Sequence, residues 1–182
     1  MRIVPTRVPD VMLIEPVVHG DARGFFMETW RESVFQSLGI EARFVQDNHS
    51  RSVRHTLRGL HYQVHEPQGK LVRVIDGEVF DVAVDLRRSS GTFGQWVGAT
   101  LTSENHQQMW IPPGFAHGFL VLSDSADVVY KCTDYFVAEH DRAVRWDDSE
   151  LGITWPLAGG TRPLLSEKDR SARGLSEAEL YP

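Results

Sequence analysis

The chain has 182 residues, 41% of them hydrophobic, a formal net charge of -6 and a single cysteine, Cys132. This size and composition predict one folded domain over residues 1–182 and exclude a disordered chain. The acidic balance argues against a nucleic-acid surface, the lone cysteine excludes an intrachain disulfide framework, and no run reaches the ~20 apolar residues of a membrane helix.

The opening "MRIVPTRVPD" lacks the apolar stretch of a secretory signal, and a reducing, cytoplasmic setting is expected. From residue 11 to residue 137 the pattern reads as strand after strand. "VMLIEPVVH", "RFVQDNHSRSV", "LRGLHYQ", "KLVRVI", "EVFDVAVDLR", "QWVGATLT", "QQMWIP", "HGFLVL" and "ADVVYKCTDYF" are short and rich in β-branched and aromatic residues. Turn segments such as "IDGE", "SSGTFG", "PPG" and "SDSAD" separate them. Only "TWRESVFQSLGI", with Gly39 as its stop, and the late "SEAEL" read as helical. Many short strands at regular spacing predict an all-β jelly-roll barrel with a few short peripheral helices.

Several basic groups sit in strands that are otherwise apolar. "LRGLHYQ" holds Arg58 and His61, and "WIPPGFAHGF" places His117 just after a tight Pro-Gly turn. An unpartnered polar group buried there costs roughly 2–7 kcal/mol, so these strands are expected to line a wet cavity or to find partners elsewhere. Strict alternation puts Gly59, His61 and Gln63 on one face, assigned to the cavity, with Gly59 leaving room for a ligand. Lys70 shares a face with Val72 and Val74, and Tyr130 with Val128 and Cys132, while Lys131 points away. Taken singly, each has a plainer reading as a core tyrosine, a turn histidine or a solvated arginine; their number on apolar strands favours a site.

"PPGFAHGF" also fits the second half of the cupin barrel signature. Metal-binding cupins place two histidines two residues apart on one strand, and here Gln63 stands where the second imidazole belongs. Glutamine is a poor ligand for zinc or iron, so neither a catalytic metal nor another cofactor is expected.

Longer motifs, "DARGFFMETW", "FVQDNHSRS", "LRGLHYQ", "KLVRVIDGEVFDVAVDLRRSSGTFG", "WIPPGFAHGF", "YKCTDYF" and "LSEKD", make the chain resemble the RmlC-type cupins, the dTDP-4-dehydrorhamnose 3,5-epimerase family, over nearly its whole length. The resemblance implies epimerisation at C3 and C5 of a dTDP-4-keto-6-deoxy sugar. It implies His61 as general base, Asp169 as its orienting carboxylate, Tyr130 as the acid on the opposite ring face and Lys70 as the cation beside the C4 oxygen. It implies substrate contacts from Arg23, Phe26, Glu28, Gln46, Asp47, Asn48, Arg58, His117, Asp141 and Lys168, and from Tyr135 near the thymine. A homodimer is also implied, with N-terminal strands crossing to the partner. The family's usual "EHE" and "DYY" are "EHD" and "DYF" here, which alters Asp141 and Phe136. Other readings are a mono-epimerase acting at C3 or C5 alone, a non-catalytic nucleotide-sugar binder and a metal-dependent cupin oxygenase.

Overall fold

The computed structural model describes residues 1–182. Thirteen strands run in chain order. They are β1 (Arg2–Val4), β2 (Met12–Glu15), β3 (Val18–Asp21), β4 (Gly24–Met27), β5 (Gln46–Val53), β6 (Leu57–Gln63) and β7 (Lys70–Asp76). The rest are β8 (Glu78–Asp85), β9 (Trp96–Thr102), β10 (Gln108–Ile111), β11 (Phe115–Val121), β12 (Ser125–Cys132) and β13 (Asp141–Ala143). Two short α-helices, α1 (Glu32–Ser37) and α2 (Glu167–Arg170), and two 3-10 turns, Ala138–His140 and Leu175–Glu177, complete the list of regular elements.

Two antiparallel sheets face each other, one ordered β1-β2-β10-β7-β12-β5 and the other β13-β6-β11-β8-β9; β3 and β4 form a separate hairpin. From β5 onward successive strands switch sheets, except for the β8–β9 hairpin. This is the jelly roll expected from the strand pattern. Val72, Val74, Met109, Ile111 and Val128 of one sheet meet Val79, Ala83, Val97, Phe115 and Phe119 of the other, and this apolar layer closes one part of the barrel. Outside the five-stranded sheet, Leu60, Tyr62, Val82 and Leu120 pack under the C-terminal segment through Val144, Leu151, Trp155 and Leu175. Outside the six-stranded sheet, Phe35 of α1 and Ile40 cover Ile14, Leu71 and Trp110.

Several boundaries differ from those read in the sequence. "VMLIEPVVH" is two strands because Pro16, which cannot donate to a ladder, interrupts it. "RFVQDNHSRSV" pairs only from Gln46, "ADVVYKCTDYF" stops at Cys132, and β11 begins at Phe115 rather than His117. Strands β1, β4 and β13 were not anticipated, since three or four residues are too few to show a period. "SEAEL" forms only a 3-10 turn at Leu175–Glu177. Helix α2 also escaped pattern reading; Ser166 caps it, accepting from the Asp169 N–H at 3.1 Å.

Candidate active site

Strand β6 departs from strict alternation, and the departure shapes the site. Leu57, Leu60 and Tyr62 all pack into the outer cluster, so the phase shifts between Leu57 and Leu60. A register irregularity against β11 lies at the same place, between His117 and Phe119. Gly59 has φ +123, and a Cβ there would sit 2.5 Å from the Gly118 Cα. The space beside Gly59 is thus occupied by β11, which corrects the expectation that it would admit a ligand. Arg58 consequently turns to the same side as His61: its Nε donates to Ser52 Oγ on the facing sheet at 3.0 Å.

A cavity of about 310 Å³ opens between the two sheets. Gln46, Asn48, Lys70 and Tyr130 line it from the six-stranded sheet, His61, Tyr62, Gln63 and Asp141 from the five-stranded sheet, and Gln68, Phe136 and Lys168 complete the wall. His61 and Tyr130 therefore enter one space from opposite sheets.

Asp169 lies behind His61. Its Oδ1 meets His61 Nε2 at 2.5 Å and the Gly59 N–H at 3.3 Å, while Ser166 Oγ donates to Oδ2 at 2.6 Å. Burial acts to raise the Asp169 pKa, but the hydrogen bonds from His61, Ser166 and Gly59 outweigh it and hold the carboxyl below its ordinary range. A carboxylate only accepts, so Nε2 bears the hydrogen and the neutral ring keeps its lone pair on Nδ1. Burial lowers the His61 pKa, with Asp169 opposing, which favours the proton-accepting imidazole near neutral pH.

Lys70 is buried at the cavity wall and makes no ion pair. Burial lowers its pKa, and the carboxylates of Asp141 and Asp81 pull the other way. The Tyr130 phenol is pushed up by burial and stays protonated near neutrality. His117 pairs with His61 across β11 and β6, and its Nε2 lies 2.9 Å from Oδ2 of the fully buried Asp81. Its ring centroid is 6.5 Å from that of Tyr130. Asp81 was missed in the sequence, where it reads as one more strand carboxylate in "EVFDVAVD".

The cavity does not gather every expected residue. Asp47 follows Gln46 on β5 and projects from the outer sheet face, 2.7 Å from Lys131 Nζ and in a neighbouring pocket with His49 and Arg73 that Asn48 and Tyr130 also border. Phe136, not Tyr135, borders the cavity, because neighbouring residues of this extended segment point different ways. Arg23, Phe26 and Glu28 stand apart on or beside the β3–β4 hairpin, with Arg23 paired to Asp21 at 2.6 Å, Glu28 to Arg31 at 3.0 Å, and Phe26 71% exposed. Asp141 and Lys168 are in direct contact with each other in the wall.

The sequence model of the dTDP-4-dehydrorhamnose 3,5-epimerase family matches residues 5–177. The chain belongs to this family. It is 56% identical, over the full length of both chains, to the dTDP-4-dehydrorhamnose 3,5-epimerase of Pseudomonas aeruginosa PAO1. Its fold matches that of the Legionella pneumophila RmlC epimerase, solved in complex with dTDP-4-keto-L-rhamnose, with a TM-score of 0.95 and 50% identity over 99% of this chain and 97% of that one. ChmJ, a 3'-monoepimerase from Streptomyces bikiniensis solved with dTDP-quinovose, is similar at 34% identity and a TM-score of 0.88, over 96% of this chain and 88% of that one. The fold is that of the family's cupin barrels. No helix is long and apolar enough to cross a membrane. Gln63, at the place of a metal cupin's second imidazole, engages its carboxamide with the main chain of Glu66, Tyr135 and Val137.

Proposed function

We propose that this epimerase inverts C3 and C5 of dTDP-4-dehydro-6-deoxy-D-glucose, giving dTDP-4-dehydro-L-rhamnose. One observation supports this above all: an imidazole held by Asp169 and a protonated phenol approach one cavity from opposite sheets, with an unpaired ammonium group beside them. His61 Nδ1 takes the proton from the carbon next to the C4 ketone, and the C–H electron pair passes into an enolate with charge on the C4 oxygen. Lys70 stabilises that charge, an effect on the order of 3–4 kcal/mol for a well-placed donor in a dry site. Tyr130 then protonates the carbon from the other face. Exchange with solvent returns the imidazolium proton and restores the phenol. C3 and C5 both flank C4, so the same groups serve each centre once the ring has shifted.

To Gln46, Asn48, Asp141 and Lys168, which line the cavity, we assign contacts with the sugar, and to Arg58 and His117 contacts with the diphosphate, for which a guanidinium fork is well suited. Asp141 is one methylene shorter than the family's glutamate, and its contact with Lys168 keeps the carboxylate at the wall. Arg23, Phe26 and Glu28 stand outside their own cavity, which supports a homodimer in which the exposed β3–β4 hairpin reaches the partner's site. The unpaired outer edge of β5, next to that cavity, is a surface such a hairpin can join. We read the whole chain as one catalytic unit, cytoplasmic, acting on a nucleotide sugar rather than a nucleic acid or membrane.

Turnover in deuterated water tests the reading. Label at both C3 and C5 of the product is the expected result. Label at one carbon means a mono-epimerase, and unlabelled, unconverted substrate means a binding protein.

A further inference from the structure

Residues 134–137, which connect β12 to the wall of the cavity, are held by side-chain carboxamides at every residue. Gln68 Nε2 donates to the Asp134 carbonyl at 2.8 Å, and Gln63 Nε2 to the Tyr135 carbonyl at 3.1 Å. The Phe136 N–H donates to Gln46 Oε1 at 2.9 Å, and the Val137 N–H to Gln63 Oε1 at 2.6 Å. Gln46 lies on one sheet and Gln63 on the other, so the segment is a strap tied across the open end of the barrel. Its two large rings, Tyr135 and Phe136, are 62% and 54% exposed.

Gln63 makes the greatest number of these ties. It is 3% exposed, and its amide nitrogen also donates to the Glu66 carbonyl at 2.8 Å, so one carboxamide fastens the 64–69 loop and the strap together. Only a group that is donor and acceptor at once can do this; a carboxylate would face two carbonyls, and an imidazole lacks the geometry. Rigid main chain under an exposed ring beside a cavity is what a preformed stacking surface needs, since ordering the ring in advance reduces the entropy lost on binding.

We propose that Gln63 is a positioning residue that fixes the strap so that the Phe136 ring is preset to receive the planar base of the nucleotide. This rests on the nucleotide-sugar reading above. Gln63 touches no reacting atom, and its contribution is to binding rather than to proton transfer.

The test uses Gln63→Met, Phe136→Ala and the double variant, with thymidine diphosphate as the titrated probe and solvent-deuterium exchange into saturating substrate as the second readout. Gln63→Met should weaken thymidine diphosphate about tenfold, with the saturated exchange rate within about twofold of the parent. In the Phe136→Ala background the same substitution should change affinity by less than about twofold, because its effect passes through that ring. An unchanged affinity, a tenfold loss that persists without Phe136, or a fall in saturated exchange overturns the proposal. If Gln63→Met does not fold, Gln63→Asn, one methylene short of the Val137 N–H, takes its place in the cycle. Amide exchange in the unaltered enzyme is an independent check: the Val137 N–H should be protected before any ligand is added, and rapid exchange there refutes a preset strap. A parent protein that neither binds the diphosphate nor exchanges label refutes the epimerase reading itself; a competent parent with an equally competent Gln63→Met refutes only the role of Gln63.

Discussion

Two parts of one barrel interior, built from the same strands, have opposite chemistry. On β7, Lys70 lines the cavity while Val72 and Val74 fill the apolar layer; on β12, Tyr130 lines the cavity while Ala126 and Val128 pack. The packed part gains from every apolar contact and contains no group that must change its proton. The open part holds groups whose pKa values are displaced by burial, downward for His61 and Lys70 and upward for Tyr130. The contrast teaches that the sandwich gives up packing at one end to keep an imidazole, an ammonium and a phenol in a poorly solvated space. There their proton affinities suit the reaction better than in water.

Substitutions at the two ends should therefore separate activity from stability. The largest effect is expected for His61→Asn, which should slow α-proton exchange by about 10²–10⁴-fold with no loss of fold, read by NMR in deuterated water. Lys70→Met should lower kcat by about 10²–10³-fold. Making that position resemble its apolar neighbours should also raise Tm, by roughly 2–4 °C, since a buried unpaired charge is removed. Loss of Tm in this variant would show that Lys70 has a structural role instead. Met109→Ala, in the packed part, should cost about 2–5 kcal/mol in chemical denaturation and leave kcat/KM within about threefold.

The pH profile sharpens the same contrast. Burial favours the neutral imidazole, so His61 gains its proton only below its ordinary value of 6.5, and the acid limb of kcat/KM should lie below that pH. Burial favours the uncharged amine, so Lys70 loses its charge before 10.5 as pH rises, and the alkaline limb should begin below that point. In Lys70→Gln, residual activity should keep the acid limb, while the alkaline limb moves up to Tyr130, whose phenol ionises above 10.

Much of this was legible in the sequence, and the rest has physical reasons for being hidden. Alternation placed Lys70 with Val72 and Tyr130 with Val128 because β7 and β12 are regular over those residues. It misled at Gly59, where a positive φ and an irregular register shift the phase and bring Arg58 round to the side of His61. The same alternation, applied to β5, would have separated Asp47 from Gln46 and Asn48, but motif matching took all three together. The Asp169 helix is four residues long and shows no period, so only family resemblance pointed to it. Asp81 and the strap-holding role of Gln63 depend on contacts 36 and 74 residues apart, which no local pattern records.

The account turns on base and acid acting from opposite faces of the bound ring, and Tyr130→Phe in deuterated water tests that most directly. The predicted result is solvent deuterium entering recovered substrate with its configuration retained, while inverted product falls at least tenfold below the parent rate. Inverted, labelled product at the parent rate would contradict it, because some other group would then be delivering the second proton.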